Sequence, residues 1–266
     1  MRCAPHSAGD LHEEVTERIV ELLDVPLQPP ALATLSSNRR GANVQDAMSL
    51  HSSVLSAVGP GMWSAVRKLR DEILIANTHR KSLRKAHGLS AAGLRLNCGC
   101  GPNVKQGWIN IDGFAPTADL QLDLRRPLPF HAGAAAIIYS EHVFEHLEHP
   151  RETGAFLTES LRVLQPGGLF RVGVPDAELP LKLYVTTDDD LRPHEEGMHP
   201  RWCDTRMHHI NYLFRQGTEH KYAYDYETLA KVLIQAGFSS VVRSEFDPAL
   251  DSEQRRIGTL YVEARK

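Results

Sequence analysis

Two patterns of apolar positions divide the chain. Over residues 1–88 apolar side chains recur every three or four positions, and nothing alternates as a strand does. Leu11, Val15, Ile19 and Leu22 follow a capping box of Asp10 and Glu13, and Pro26 with the Pro29-Pro30 pair stops the repeat. Asn43 with Asp46 can cap a second helix carrying Met48, Leu55 and Val58. Gly59-Pro60 introduces a third, with Met62, Val66, Leu69 and Ile73 on one face. The pattern predicts an N-terminal helical extension over 1–88 whose apolar faces need a partner, either as a lid over a substrate or as a dimerisation face.

From Gly93 the pattern changes to short apolar runs alternating with helical stretches, the signature of a parallel α/β sheet in a domain over 89–266. Strands are expected at 94–97, 108–111, 120–122, 135–139, 169–174, 241–245 and 259–264. Helices are expected at 153–164 and at 226–236, the second capped by Asp225 and ended by Gly237. No helical pattern joins the last two strands, which predicts an antiparallel edge pair.

Composition narrows the class without choosing a chemistry. With 266 residues, 42% of them hydrophobic, the chain can bury the core of one elaborated domain or of a domain with a small accessory. A net charge of -3 and a pI near 6.5 supply no field for a polyanion, so a small-molecule partner is expected rather than nucleic acid. No charged-then-apolar leader opens the sequence and no apolar run approaches the roughly 18 residues of a membrane span, so a cytoplasmic protein without membrane contact is expected. Cys3, Cys98, Cys100 and Cys203 form neither a dense disulfide framework nor paired metal knuckles. Arg80, Lys81, Arg84 and Lys85 crowd one short run, read as a solvated helix face with phosphate binding as the alternative.

The chemistry gathers at the strand ends. Leu94 to Asn97 runs into Cys98-Gly99-Cys100-Gly101, where missing side chains let a ligand approach backbone N–H groups. Asn110-Ile111-Asp112 ends the second strand and Leu122-Asp123-Leu124 the third, so the turn and both acids should converge outside the carboxyl ends of the strands. A carboxylate there can accept from the vicinal hydroxyls of a ribose, which fits Asp112; capping a turn is the other reading of that residue. Asp123 is placed for an adenine amino group. Asp112 follows Gly101 by far fewer residues than the usual twenty or so, so the first crossover helix should be short or absent, which disfavours a nicotinamide-binding unit.

These strings, with Gly107-Trp108-Ile109-Asn110-Ile111-Asp112, Pro127-Leu128-Pro129-Phe130, Glu145-His146-Leu147 and Arg162-Val163-Leu164-Gln165-Pro166-Gly167-Gly168, resemble the class I S-adenosylmethionine (SAM)-dependent methyltransferases. The likeness extends over 93–266 and is narrower still to bacterial methyltransferases with a shortened first crossover. It implies a Rossmann-like seven-stranded sheet with an antiparallel last strand and SAM across the glycine turn. By the same resemblance Asn97, Gly99, Cys100 and Gly101 approach the methionine moiety. Asp112 and Gly113 then lie at the ribose, Asp123 and Leu124 at the adenine, and Ser140 and Glu141 along the wall after the fourth strand.

Two other features compete for attention. His142-Val143-Phe144-Glu145-His146 matches H-x-x-E-H, a spacing that on a helix can hold zinc in a peptidase. It is read instead as the segment that follows the fourth strand in methyltransferases, with no metal expected, because no clear third-ligand pattern follows. The stretch 194–226 concentrates His194, His199, Trp202, His208, His209, Tyr212, His220, Tyr222 and Tyr224, and is the expected acceptor-recognition segment together with Met62 and Trp63. The expected reaction is methyl transfer from SAM to a small molecule such as a specialised metabolite or a sugar. His209, His208 and His142, in that order, are the candidate bases. A non-catalytic SAM- or nucleotide-binding module is the alternative.

Overall fold

The computed structural model describes residues 60–86, 89, 92–186 and 199–266. The helices expected near 11–22 and 43–58, His194 and the side chain of Trp63 lie outside the described residues. The chain divides into two compact units, Met1–Asn77 and Thr78–Lys266. Helix α1 (Pro60–Ala86) runs through that boundary. The extension expected over 1–88 thus yields its last nine described residues, Thr78 to Ala86, to the second unit.

The second unit carries one seven-stranded sheet in the order β3-β2-β1-β4-β5-β7-β6. Its strands are β1 (Leu94–Cys98), β2 (Ile109–Asp112), β3 (Leu120–Gln121), β4 (Ala135–Glu141), β5 (Leu164–Pro175), β6 (Ser240–Ser244) and β7 (Thr259–Arg265). All seven expected strands are present. The first five pair in parallel, and β7 pairs antiparallel with both β5 and β6. The antiparallel pair is as expected, but only β6 is at the edge. Strand β7 enters between β5 and β6, which is why Leu260, Tyr261, Val262 and Ala264 are buried while much of β6 is exposed.

Helix α2 (Arg151–Val163) joins β4 to β5 and presents Thr153, Phe156, Leu157, Ser160 and Val163 at helical spacing to the sheet. Helix α5 (Tyr226–Ala236) leads into β6; the Asp225 carboxylate accepts from Thr228 N–H at 2.8 Å, and Gly237 ends the helix at φ 111°. Two helices carried no sequence expectation: α3 (Glu178–Val185), and α4 (Arg206–Arg215), which Thr205 caps through His208 N–H. Each fully buried Leu, Ile or Phe of the core contributes about 1.5–3 kcal/mol. The layer is built from Leu96, Ile111, Ile138, Phe156, Phe170 and Leu229, all without solvent exposure.

The crossovers β1 to β2 and β2 to β3 contain no helix, as the short spacing to Asp112 requires. The C-terminal end of α1 does the covering there. Ser82 Oγ accepts from Gln121 N–H at 2.9 Å, His79 Nδ1 from Asp123 N–H at 3.1 Å, and Lys85 Nζ donates to the Asp119 carbonyl at 2.6 Å. Part of the basic run therefore anchors the helix rather than only solvating it. Among the described residues, no helix is long and apolar enough to cross a membrane.

A charge sits in the middle of the sheet. Arg171 of β5 is 2% exposed; Nε donates to Asp251 Oδ1 at 2.8 Å, Nη2 also meets Asp251, and Nη1 meets Glu263 of β7 at 2.9 Å. Removing one partner of a buried pair leaves an uncompensated charge. Asp251→Ala is therefore expected to lower unfolding free energy by about 3–5 kcal/mol in urea titrations. A joint Arg171→Met/Asp251→Leu change should recover most of that loss.

Candidate active site

Strand β1 leaves the sheet at Cys98 into a turn that only glycine can make. Gly99 takes φ 75°, and its N–H and that of Cys100 both donate to the Ile111 carbonyl, at 2.7 and 3.0 Å. A Cβ on Gly99 would stand 2.0 Å from Val143 Cγ2, so the turn and the segment after β4 are in direct contact. Gly101, at φ 49°, donates its N–H to Asp112 Oδ2 at 2.9 Å. Beneath the turn, buried Asn97 donates through Nδ2 to Asn110 Oδ1 at 2.9 Å and to the Asn103 carbonyl at 3.0 Å. Asn110 in turn donates to Asp119. Four polar groups from β1, β2 and their loops thereby hold the loop open without a crossover helix.

The acids at the next strand ends behave differently from each other. Asp112 accepts from Gly101 through Oδ2 and from Phe114 and Ala115 N–H through Oδ1, at 2.8 and 2.9 Å. Three donors fill three of the roughly four acceptor directions of a carboxylate. The turn-capping reading of Asp112 is thus realised, with one direction left, and Gly113 follows it half-buried. Asp123 is buried, and both its oxygens are gripped by Arg125, at 2.8 and 3.0 Å, with Arg126 at 3.3 Å. The carboxylate expected at an adenine amino group is therefore committed to guanidinium groups. Leu124 beside it is buried.

At the end of β4, Ser140 is fully buried and its hydroxyl makes no hydrogen bond among the described residues. Glu141 is buried too, and accepts from Tyr261 Oη at 3.1 Å and from Ser252 N–H and Oγ, with Arg255 at 3.5 Å. The thiols of the turn are inert at neutral pH: burial, then each other's proximity, raises Cys98, and burial followed by Asp112 pushes Cys100 up to about 11.

His142 occupies φ 56°, a conformation uncommon for a residue with a side chain. Its Nε2 lies 2.9 Å from Thr259 Oγ1, and burial, then Arg255, drives its pKa down to about 3, so the ring is neutral. The short 3-10 helix Phe144–His146 follows, with Glu145 buried and pushed up to about 8 by that burial. His142 precedes this turn in a left-handed conformation, so H-x-x-E-H does not present two histidines on one α-helical face, as a peptidase reading requires.

The ring-rich segment separates into two groups. His199, His209, Tyr212, His208 and Trp202 cluster at the start of α4: Nδ1 of His199 and of His209 are 2.8 Å apart, and His208 is 2.8 Å from Asp204. His209 is buried and Trp202 is 58% exposed. The other group, His220, Tyr222 and Tyr224, packs on the segment after β4 through His146, His149 and Phe144. Tyr224 is therefore core, not recognition surface. Met62, 59% exposed, belongs to the first unit.

Sequence reading missed the partners that come from far along the chain: Ser252, Arg255, Thr259 and Tyr261 around Glu141 and His142, and His79 behind Asp123. No local spacing marks them. Gly99→Ala is expected to collapse the turn, visible as a depressed thermal midpoint. Val143→Ala in the same chain removes the Cγ2 overlap and should restore all but the cost of the backbone angle, about 1–2 kcal/mol.

A family model described as a methyltransferase domain matches residues 96–172, from β1 into β5. No curated protein matches the chain significantly. Similar solved structures include a Thermotoga maritima protein described as a possible histamine N-methyltransferase, 15% identical over 75% of this chain and 94% of that one, with a TM-score of 0.39. A SAM-dependent methyltransferase from Mesorhizobium loti is 17% identical over 71% and 98%, TM-score 0.39. The Burkholderia thailandensis 1,6-didemethyltoxoflavin-N1-methyltransferase, solved with its acceptor and S-adenosylhomocysteine, is 14% identical over 90% and 99%, TM-score 0.37. The family match falls on the residues that carry the glycine turn and both strand-end acids, so that residues 96–172, within the seven-stranded sheet, carry a methyltransferase domain.

Proposed function

We propose that this chain transfers the methyl group of SAM to a small-molecule acceptor, a specialised metabolite or a sugar being the kind expected, in the cytoplasm. The observation that carries the reading is the pairing of the Gly99–Gly101 turn with Asp112 across adjacent strand ends, joined by the Gly101 N–H to Asp112 bond. The residues fit the cofactor. The buried hydroxyl of Ser140, unpaired among the described residues, and the remaining acceptor direction of Asp112 are polar capacity with no protein use. In this reading Asn97, Gly99, Cys100 and Gly101 line the methionine moiety, Asp112 and Gly113 hold the ribose, and Ser140 and Glu141 form the wall. Leu124 flanks the adenine with its apolar side chain, and Asp123 acts there by keeping Arg125 and Arg126 in place.

When bound, SAM supplies a methyl group already activated by its sulfonium. The chain's own residues then have to orient an acceptor and exclude water, worth several kcal/mol of barrier. A protonated acceptor also needs a base, for which His209, His208 and His142 are proposed, with Tyr212, Met62 and Trp63 in acceptor recognition. His209 can pass a proton to His199 across the 2.8 Å between their rings, which favours it over His208, whose ring is tied to Asp204 at the surface.

Calorimetry should show binding of SAM and S-adenosylhomocysteine and none of NAD; the reverse result refutes the reading. Asp112→Ala should weaken SAM by about 1–3 kcal/mol, the cost of leaving hydroxyls without their charged acceptor. His209→Ala should lower turnover more than SAM affinity. A chain begun at Thr78, which keeps His79, Ser82 and Lys85 on β3, should fold and bind SAM; full-rate methylation by it would remove residues 1–77 from the acceptor site.

A further inference from the structure

We propose that Glu145, His146 and His220 form a binding site for one divalent transition-metal ion of the zinc type, with His142 at its rim. Their donor atoms lie within 4.8 Å of one another, Glu145 Oε1 being 3.9 Å from His146 Nε2 and 3.4 Å from His142 Nδ1. Glu145 is 2% exposed, and neither carboxylate oxygen makes a hydrogen bond among the described residues. A carboxylate removed from water in this way needs either a cation or a proton.

The Nδ1 atom of each imidazole is already taken up by a backbone carbonyl. His146 Nδ1 lies 3.2 Å from the Glu219 carbonyl and His220 Nδ1 2.5 Å from the Leu213 carbonyl. A carbonyl only accepts, so both Nδ1 atoms are the donors and both Nε2 atoms carry a free lone pair. Metal-binding histidines are held in this manner, one ring nitrogen donating to a carbonyl or carboxylate and the other facing the ion. Burial lowers both pKa values, so neither ring is a cation at neutral pH.

The frame is stiff. Glu145 and His146 share one 3-10 turn, and its Glu145 carbonyl accepts from Lys221 N–H at 2.7 Å and Tyr222 N–H at 3.3 Å, which fastens His220 beside them. One carboxylate oxygen with two or three imidazole nitrogens suits zinc and its first-row neighbours rather than calcium or magnesium. Zinc bonds of about 2.0–2.2 Å put neighbouring ligands roughly 3.4 Å apart in a tetrahedron, so Glu145 and His146 need close by only about half an ångström, and no pair in the trio by more than about 1.4 Å. His146 is 38% exposed on its side chain, which leaves a coordination position within reach of solvent. Sequence reading set a metal aside because no third ligand followed the H-x-x-E-H string; His220 supplies it through the fold. A second trio, His199, Cys203 and His209, lies within the same distance limit, but its two histidines already face each other as a hydrogen-bonded pair.

The test uses the full chain, stripped with chelator and titrated with Zn2+ alone. One ion per chain is expected by elemental analysis after dialysis, with a raised thermal midpoint, and Co2+ in its place should give the visible absorption of a low-symmetry site. Glu145→Gln and His220→Ala should each weaken Zn2+ by a hundredfold or more, while Cys203→Ser leaves stoichiometry unchanged. Circular dichroism checks each variant; if His220→Ala does not fold, the isosteric Glu145→Gln decides alone. No retained zinc in the unaltered chain, or zinc that survives Glu145→Gln and is lost with Cys203→Ser, overturns the proposal.

Discussion

The contact of Gly99 with Val143 is the constraint on which the functional half of this molecule rests. Strands β1 and β4 are neighbours, and the chain leaves both at the same end of the sheet. A side chain on Gly99 would push apart the glycine turn and the segment that carries His142, Glu145 and His146. Because that side chain is absent, the two segments pack against each other. The turn can then lend its N–H groups to Ile111 and Asp112, and His142 is held in a conformation that few residues tolerate.

What was legible in the sequence was whatever physics is local. Short apolar runs marked all seven strands, and the Asp225 and Gly237 caps placed α5 without error, because each cap is a hydrogen bond or a backbone angle within a few residues. The missing crossover helix was legible too, since ten residues between Gly101 and Asp112 leave no room for one. Strand β5 was read too short: the Pro166-Gly167-Gly168 stretch looks like a turn, yet Leu164 already pairs with Ala135 before a bulge shifts the register. Helix α4 was hidden in a run of rings whose concentration suggested a pocket. The site was legible in part. The glycine turn and Asp112 came from adjacent strand ends, but the fate of Asp123 depended on two arginines that carried no sequence expectation.

The sheet is uneven in how it is covered. From β4 onward α2 and α5 supply the apolar faces, whereas β2 and β3 have no crossover helix of their own. The end of α1 fills that role with a hydroxyl, an imidazole and an ammonium aimed at backbone groups of the β3 strand and its flanks. Polar side chains thus do at one edge what ladder bonds do elsewhere. Asp123 ties that edge to the crevice, since its N–H meets His79 while its carboxylate holds Arg125.

Arg171 makes the two halves of the sheet depend on each other. Its carboxylates, Asp251 and Glu263, and its carbonyl acceptor, Glu245, all lie in the last stretch of the chain. Without those groups β5 would carry a guanidinium in its centre with no carboxylate beside it, and a dry sheet around that strand would bury an uncompensated charge. The antiparallel edge therefore seals the sheet and compensates the arginine together. The central cation makes dry packing of the parallel half conditional on the opposite edge being in place.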